Sequence, residues 1–221
     1  MDLKSWIRNG VDVVFPVRCA VCKTAPVPYP LPVCENCKNF LLSEKMLPSV
    51  SSALLVEIWS CLPYEGTIRE FIKKFKYSGQ RQLTGFFSDL VRRFLKENNI
   101  PKEDIDLIVP IPIHLARRVS RGYNQSELIA RILSDLLKTP FSTNVLIKTK
   151  NTHPQIGLSK NNRIKNLRGS FRVPRPSPVT GKSVMLADDV VTTGATLEAC
   201  AAELLRAGAK EVRAFTLART L

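Results

Sequence analysis

A chain of 221 residues with 44% hydrophobic and 24% charged residues can bury roughly 70% of its unfolded surface in a core of its own, which excludes a disordered or fibrous class. It holds no apolar run long enough for a membrane helix, and its start, with Asp2 and no long apolar core, does not read as a secretory signal; the expected location is cytoplasmic. The 33 Lys and Arg against 19 Asp and Glu leave a net charge of +14, a field that attracts polyanions and suits a polyphosphate substrate as well as nucleic acid.

In chain order, Leu3, Ile7, Val11, Val14 and Phe15 fall at helical spacing, so a short amphipathic helix is expected up to Pro16. The next stretch carries Pro26, Pro28, Pro30 and Pro32, which rule out helix and sheet interior. It also carries Cys19 and Cys22, then, after eleven residues, Cys34 and Cys37. Paired C-x2-C knuckles in a reducing compartment favour a tetrahedral metal over disulfides. Four thiolates close the coordination shell, so the expected ion is a structural zinc, with iron or paired disulfides as the alternatives. A helical CENCKNFLLSEKM segment closes this module.

A strand is expected in LLVEIWSCL, within Ala53 to Pro63. EGTIREFIKKFKYSG follows as a helix with Ile68, Phe71, Ile72 and Phe75 on one face and Lys73, Lys74 and Lys76 around the other. Residues 82–97 repeat the helical spacing. From Asp106, IDLIVPIP reads as a strand covered on both faces. SELIARILSDLLK reads as a helix beginning near Ser126, VLIKTK as a strand, and 151–170 as a polar basic loop. SFRV, the VMLADDV strand, a helix from about Thr196 to Ala207 closed by Gly208, and the strand EVRAFTLA complete the chain. Alternating strands and helices imply an α/β fold with a mostly parallel sheet and helices on both faces. Cys61 is expected in a buried strand, and Cys200 in the core beside Leu197, Ala201 and Leu204.

VMLADDVVTTGAT, Val184 to Thr196, places two carboxylates at the end of a buried strand. Such strand ends carry the ligand in open parallel sheets. Thr192, Thr193, Gly194, Ala195 and Thr196 then bridge to a helix, where small residues, free amides and the helix dipole favour a phosphate monoester. Asp188 and Asp189 would repel that phosphate at contact. One sugar away they would accept hydrogen bonds from ribose hydroxyls. The pattern therefore suits a ribose 5-phosphate, whereas a single acid would suit a helix cap.

ADDVVTTGAT resembles the signature of the type I phosphoribosyltransferases. With VPIPIHLARRVSRGYNQSELIA from Val109, KTKNTHPQIGLSKNNRIKNLRGSF from Lys148, FKYSG from Phe75 and the four-cysteine module, nearly the whole chain resembles the ComF competence-protein family. The resemblance implies a zinc module over 1–48 and a type I phosphoribosyltransferase-like domain over 49–221. It implies 5-phosphoribosyl diphosphate as ligand, with magnesium held mainly by that ligand's oxygens. Asp188 and Asp189 would be the catalytic pair, and Asp188, Asp189, Val190, Val191, Thr192, Thr193, Gly194, Ala195 and Thr196 would hold the phosphoribosyl group. Pro110, Ile111 and Pro112 would meet the diphosphate, with Arg117, Arg118 and Arg121 next in the chain and in reach of an anion.

The segment Lys150 to Arg168 corresponds to the family's lid, carrying Lys160, Arg163, Lys165 and Arg168 between Gly157 and Gly169, with Gln155 and Asn162 as candidate base contacts. His114 is expected to be structural and His153 a surface residue. The resemblance also implies cytoplasmic handling of single-stranded DNA during natural transformation, beside a DNA-uptake helicase or recombination proteins. It leaves turnover open: an active phosphoribosyltransferase of nucleotide metabolism with an unknown acceptor, or a phosphoribosyl-diphosphate-sensing regulator, stand as alternatives. The hood that would read an acceptor is expected within Ala53 to Lys96.

Overall fold

The computed structural model describes residues 18–19, 21–24, 26–27, 33–77, 83–100, 102–150, 169–175 and 178–221; the helix expected before Pro16 lies outside them. Four strands, β1 (Ile58–Pro63), β2 (Leu107–Pro110), β5 (Ser183–Val191) and β6 (Glu211–Arg219), form one sheet in the order β1-β6-β5-β2. Every pairing in it is parallel. The two nine-residue central strands are buried along nearly their whole length, as expected of strands covered on both faces. Edge strand β2 stops at Pro110, which cannot donate to a ladder. The backbone then returns to the sheet through Ile111, whose N–H donates to the Ala187 carbonyl at 2.9 Å.

Side-chain alternation divides the core in two. Ile108, Met185, Ala187, Phe215 and Leu217 face one cluster, whereas Leu107, Val109, Val184, Leu186, Val212 and Ala214 face the other. The first cluster is covered by α2 (Gly66–Tyr77), α3 (Leu83–Asn98) and α5 (Gln125–Leu137). Ile68, Phe71, Ile72 and Phe75 of α2 are at most 3% exposed. Ring pairs Phe71–Phe86 and Phe75–Phe87, with centroids 4.6 and 4.8 Å apart, lock α2 to α3. The second cluster is covered by α6 (Ala195–Arg206), where Leu197, Cys200, Ala201 and Leu204 are buried, and Cys61 is likewise fully buried in β1.

The cysteine-bearing helix α1 (Glu35–Ser43) docks on α3. Leu41 enters the first cluster, Lys38 Nζ pairs with Asp89 at 2.9 Å, and Arg93 donates to the carbonyls of Leu42 and Glu44.

Several expectations need correction. The first strand begins at Ile58 rather than near Leu54, because residues 52–55 close a turn in which the Ser52 N–H donates to the Leu55 carbonyl and the Leu55 N–H to Ser52 Oγ. VLIKTK contributes only β3 (Ile147–Lys148), which pairs antiparallel with β4 (Phe171–Arg172) outside the main sheet. Val145 and Leu146 are buried, but as loop residues under the second cluster. The helix expected to begin near Ser126 is capped by Asn124, whose Oδ1 accepts from the Ser126 N–H. One further helix, α4 (Leu115–Arg121), was not foreseen; His114 caps it by accepting from the Ala116 N–H at 3.3 Å, and Gly122 ends it in the left-handed region.

Candidate active site

The carboxyl end of β5 opens into a cleft of about 390 Å³, of the size that holds a small ligand. Val190, Val191, Thr192, Thr193, Gly194 and Thr196 line it, followed by Leu197. Gly194 caps α6 with φ of 76° and no side-chain hydrogen bond. A Cβ there would meet nothing within 4 Å, so backbone conformation rather than crowding selects glycine. Ala195 is 8% and Leu197 2% exposed. They anchor the first turn in the core while the chain ahead of it faces the cleft, so the positive end of the helix dipole and its amides are presented to an anion. Ala195 therefore supports the cradle rather than lining it.

Asp188 and Asp189 both line the cleft and are held differently. Ser126 Oγ donates to Asp188 Oδ1 at 2.8 Å, and the Asp189 N–H donates to the same oxygen at 2.9 Å. Asp189, 5% exposed, accepts from Lys76 Nζ at 2.9 Å. Burial, reinforced by the Asp189 charge, pushes the Asp188 carboxyl up to about 7 against the pull of Lys76 and Ser126. For Lys76, burial acts to lower the ammonium, but the two carboxylates outweigh it and the group titrates above its ordinary value. Lys148 also lines the cleft; burial and then the Arg117 charge lower it. Its Nζ lies 5.2 Å from the centroid of the Phe171 ring.

The expected diphosphate segment is brought together in part. Ile111, Pro112 and Arg117 line the cleft, as do Ile113 and Arg121. Pro110 is the buried last residue of β2. Arg118 turns to Glu127 in a two-pronged contact of 2.9 and 3.3 Å. The lid residues Lys160, Arg163, Lys165 and Arg168, with Gln155, Gly157 and Asn162, lie outside the described residues, as does His153.

Sequence reasoning placed a hood within Ala53 to Lys96 but named no site residue on this opposite wall. Tyr64, Arg69, Lys73 and Lys76 line the same cleft. The signal was present in the i, i+4, i+7 spacing of the three cations, which places them on one helical stripe. The hydroxyl at Ser126 was read only as a helix start, although its neighbour Gln125 also faces the cleft.

Away from the cleft, the sulfurs of Cys19, Cys22, Cys34 and Cys37 all lie within 4.8 Å of one another. Cys19 Sγ accepts N–H bonds from Val21 and Cys34, both at 3.4 Å. Amides aimed at a sulfur favour its thiolate form. Four soft donors at this separation fit a tetrahedral ion.

The sequence profile of the family described as "Phosphoribosyl transferase domain" matches residues 86–221, which defines the class of the domain that carries the cleft. Competence protein F of Haemophilus influenzae is 32% identical over 190 residues, covering 84% of this chain and 79% of that protein. Competence protein ComFC of Bacillus subtilis is 30% identical over 190 residues, covering 85% and 72%. DNA utilization protein YhgH of Escherichia coli is 40% identical over 116 residues, 52% of this chain and 50% of that protein, so the aligned part spans about half the length of that relative. Among solved structures, a Bacillus subtilis glutamine phosphoribosylpyrophosphate amidotransferase complexed with ADP and GMP covers 58% of this chain and 25% of its own, at 21% identity and a TM-score of 0.39. The chain belongs to the phosphoribosyl transferase domain family and, within it, to the competence protein F (ComF) type.

Proposed function

We propose that this chain is a ComF-type competence protein whose cleft binds 5-phosphoribosyl diphosphate and which acts on incoming single-stranded DNA in the cytoplasm during natural transformation. One observation carries the ligand reading. The carboxylates of Asp188 and Asp189 and the turn Thr192–Gly194 share one cleft at the carboxyl edge of a parallel sheet. The turn would take the 5-phosphate on its amides, and the acids would accept from the ribose hydroxyls. Ile111, Pro112 and Arg117, facing them, would receive the diphosphate.

In a transfer reaction the bond from ribose C1 to a diphosphate oxygen breaks. That electron pair leaves with diphosphate, and an acceptor nucleophile takes C1. Arg117 and Lys148 would stabilise the charge that builds on the leaving group. Asp188 and Asp189, whose hard carboxylate oxygens suit magnesium through its water shell, would hold such an ion near the substrate, where it would add positive charge at the leaving group. The four-cysteine cluster would hold zinc as a structural ion, since four thiolates leave no open position.

The names of the relatives, competence protein and DNA utilization protein, support the DNA role, as does the net charge of +14. The proposed division is 1–48 for the zinc module and 49–221 for the ligand-binding domain, with a DNA-uptake helicase or recombination proteins as partners. The test is fluorescence anisotropy of labelled single-stranded DNA across a salt series, with and without 5-phosphoribosyl diphosphate and magnesium. DNA binding and pyrophosphate release that both vanish in Asp188→Ala/Asp189→Ala support a cleft that acts on DNA. Release lost with DNA binding intact places the strand elsewhere on the protein. Absence of DNA binding by the native protein leaves a ligand sensor or a nucleotide-metabolism enzyme in place of the DNA role.

A further inference from the structure

We infer that the stripe Arg69, Lys73 and Lys76, with Tyr64 at its head, is the acceptor wall of the cleft, and that the acceptor carries phosphate. The inference rests on the ligand reading above and extends it to the second substrate.

Three of the four cations of α2 line the cleft. They stand at i, i+4 and i+7, one face of a helix, and cover about 10 Å of wall. The direction of that face is not free. Ile68, Phe71, Ile72 and Phe75 are sunk in the core against α3, which fixes the rotation of α2 and turns the cationic stripe over the end of the sheet.

The stripe and the phosphate cradle also come from opposite faces of the sheet. Helix α2 packs in the first cluster, and the start of α6 in the second. Asp188 and Asp189 stand at the strand end between them. A phosphoribosyl donor held by the cradle, the acids and the Ile111–Arg117 segment uses one wall and the floor. It leaves the α2 wall over.

The chemistry of that wall is specific. Its inner cation, Lys76, is committed to Asp189 at 2.9 Å. Its outer two are the exposed Arg69 and the half-buried Lys73, the latter offset in part by Glu70 at 2.8 Å. Tyr64 adds an aromatic ring at the same wall. A neutral base would need a wall of apolar groups and hydrogen-bonding amides. Cations beside an aromatic ring match phosphate oxygens joined to a stackable base. A solvated helix face would instead turn its cations away from the cleft.

The test uses the full-length protein and its Arg69→Gln/Lys73→Gln variant, both substitutions lying on the cleft-facing side of α2, away from its core face. Three quantities are measured. These are calorimetric affinity for 5-phosphoribosyl diphosphate with magnesium, anisotropy of a labelled oligothymidylate against salt, and thermal protection by thymidine 5′-monophosphate compared with thymidine. Removing two phosphate contacts should make the salt slope shallower by about 1.4 and lower oligonucleotide affinity about tenfold near 0.15 M salt. Affinity for the diphosphate ester should stay within about twofold, because the donor does not use this wall.

If protection by the monophosphate falls with that of the oligonucleotide, the wall reads a single phosphate ester. If only the oligonucleotide weakens, it reads a strand. Either supports the inference. Unchanged binding of both, in a variant that still takes the diphosphate ester, overturns it. Failure of the native protein to bind the diphosphate ester removes the underlying reading, and the inference with it.

Discussion

Replacing Asp188 by Asn should stabilise the protein, and more so at high pH. The Asp188 carboxyl titrates at about 7 in the folded chain against 3.8 for the ordinary group. Between those values the folded state holds a proton that the unfolded state has released. Stability therefore falls as pH rises through the window from about 4 to 7, and above 7 the whole cost is present. Integrating the two titrations gives a cost of about 4 kcal/mol at pH 8, of which less than half is present at pH 5. Asparagine carries no such cost and still accepts from Ser126 through its carbonyl. Its advantage over the parent should grow by about 2 to 3 kcal/mol between pH 5 and pH 8, or about 5–10 °C in melting temperature for a chain of this size. Scanning calorimetry of both proteins at the two pH values reads this difference directly, and any packing effect of the amide cancels. An advantage that does not change with pH, or a parent more stable at pH 8, would refute the reasoning. The same titration implies that a ligand needing Asp188 ionised binds more tightly as pH rises through 7.

Lys76→Met would leave Asp189, 5% exposed, without its counter-charge, and should cost about 3 kcal/mol in urea unfolding at neutral pH. Equal urea midpoints for the two proteins would contradict the pairing. Gly194→Ala forces a side chain into φ of 76° with no clash, so its penalty in chemical denaturation should be about 1 kcal/mol, from backbone strain alone. Elemental analysis of the purified chain should give one zinc per protein, and Cys34→Ser should release it. Because α1 is bonded to α3 through Lys38 and Arg93, the same change should lower the melting temperature of the main core as well.

Local chemistry made most of the site readable. The acid pair, the threonines and Gly194 are contiguous, and the strand before them is an uninterrupted apolar run, so their placement needs only the rule that ligands gather at strand ends. The cysteine knuckles are readable for the same reason, since ligand spacing is a short-range property. The Lys76–Asp189 pair spans 113 positions, a distance set by how α2 lies across the sheet. No local pattern names that partner, although the helical stripe at 69, 73 and 76 announced that one face was cationic. VLIKTK failed as a sheet strand because an apolar run shows burial and not its partner; Val145 and Leu146 are buried without joining the sheet. Helix α4 was hidden because only seven residues lie between its caps, His114 and Gly122, too few to show a helical period. Its side chains are also unburied, so no apolar face marked it.

Calorimetric titration of 5-phosphoribosyl diphosphate with magnesium into the native chain and into Asp188→Ala/Asp189→Ala tests the central claim most directly. One equivalent should bind the native protein, ribose 5-phosphate should compete for the site, and the double variant should show no saturable heat while remaining folded by circular dichroism. Undiminished affinity in the folded double variant, or no binding by the native chain, would contradict an acid pair and open cradle built for a phosphorylated ribose.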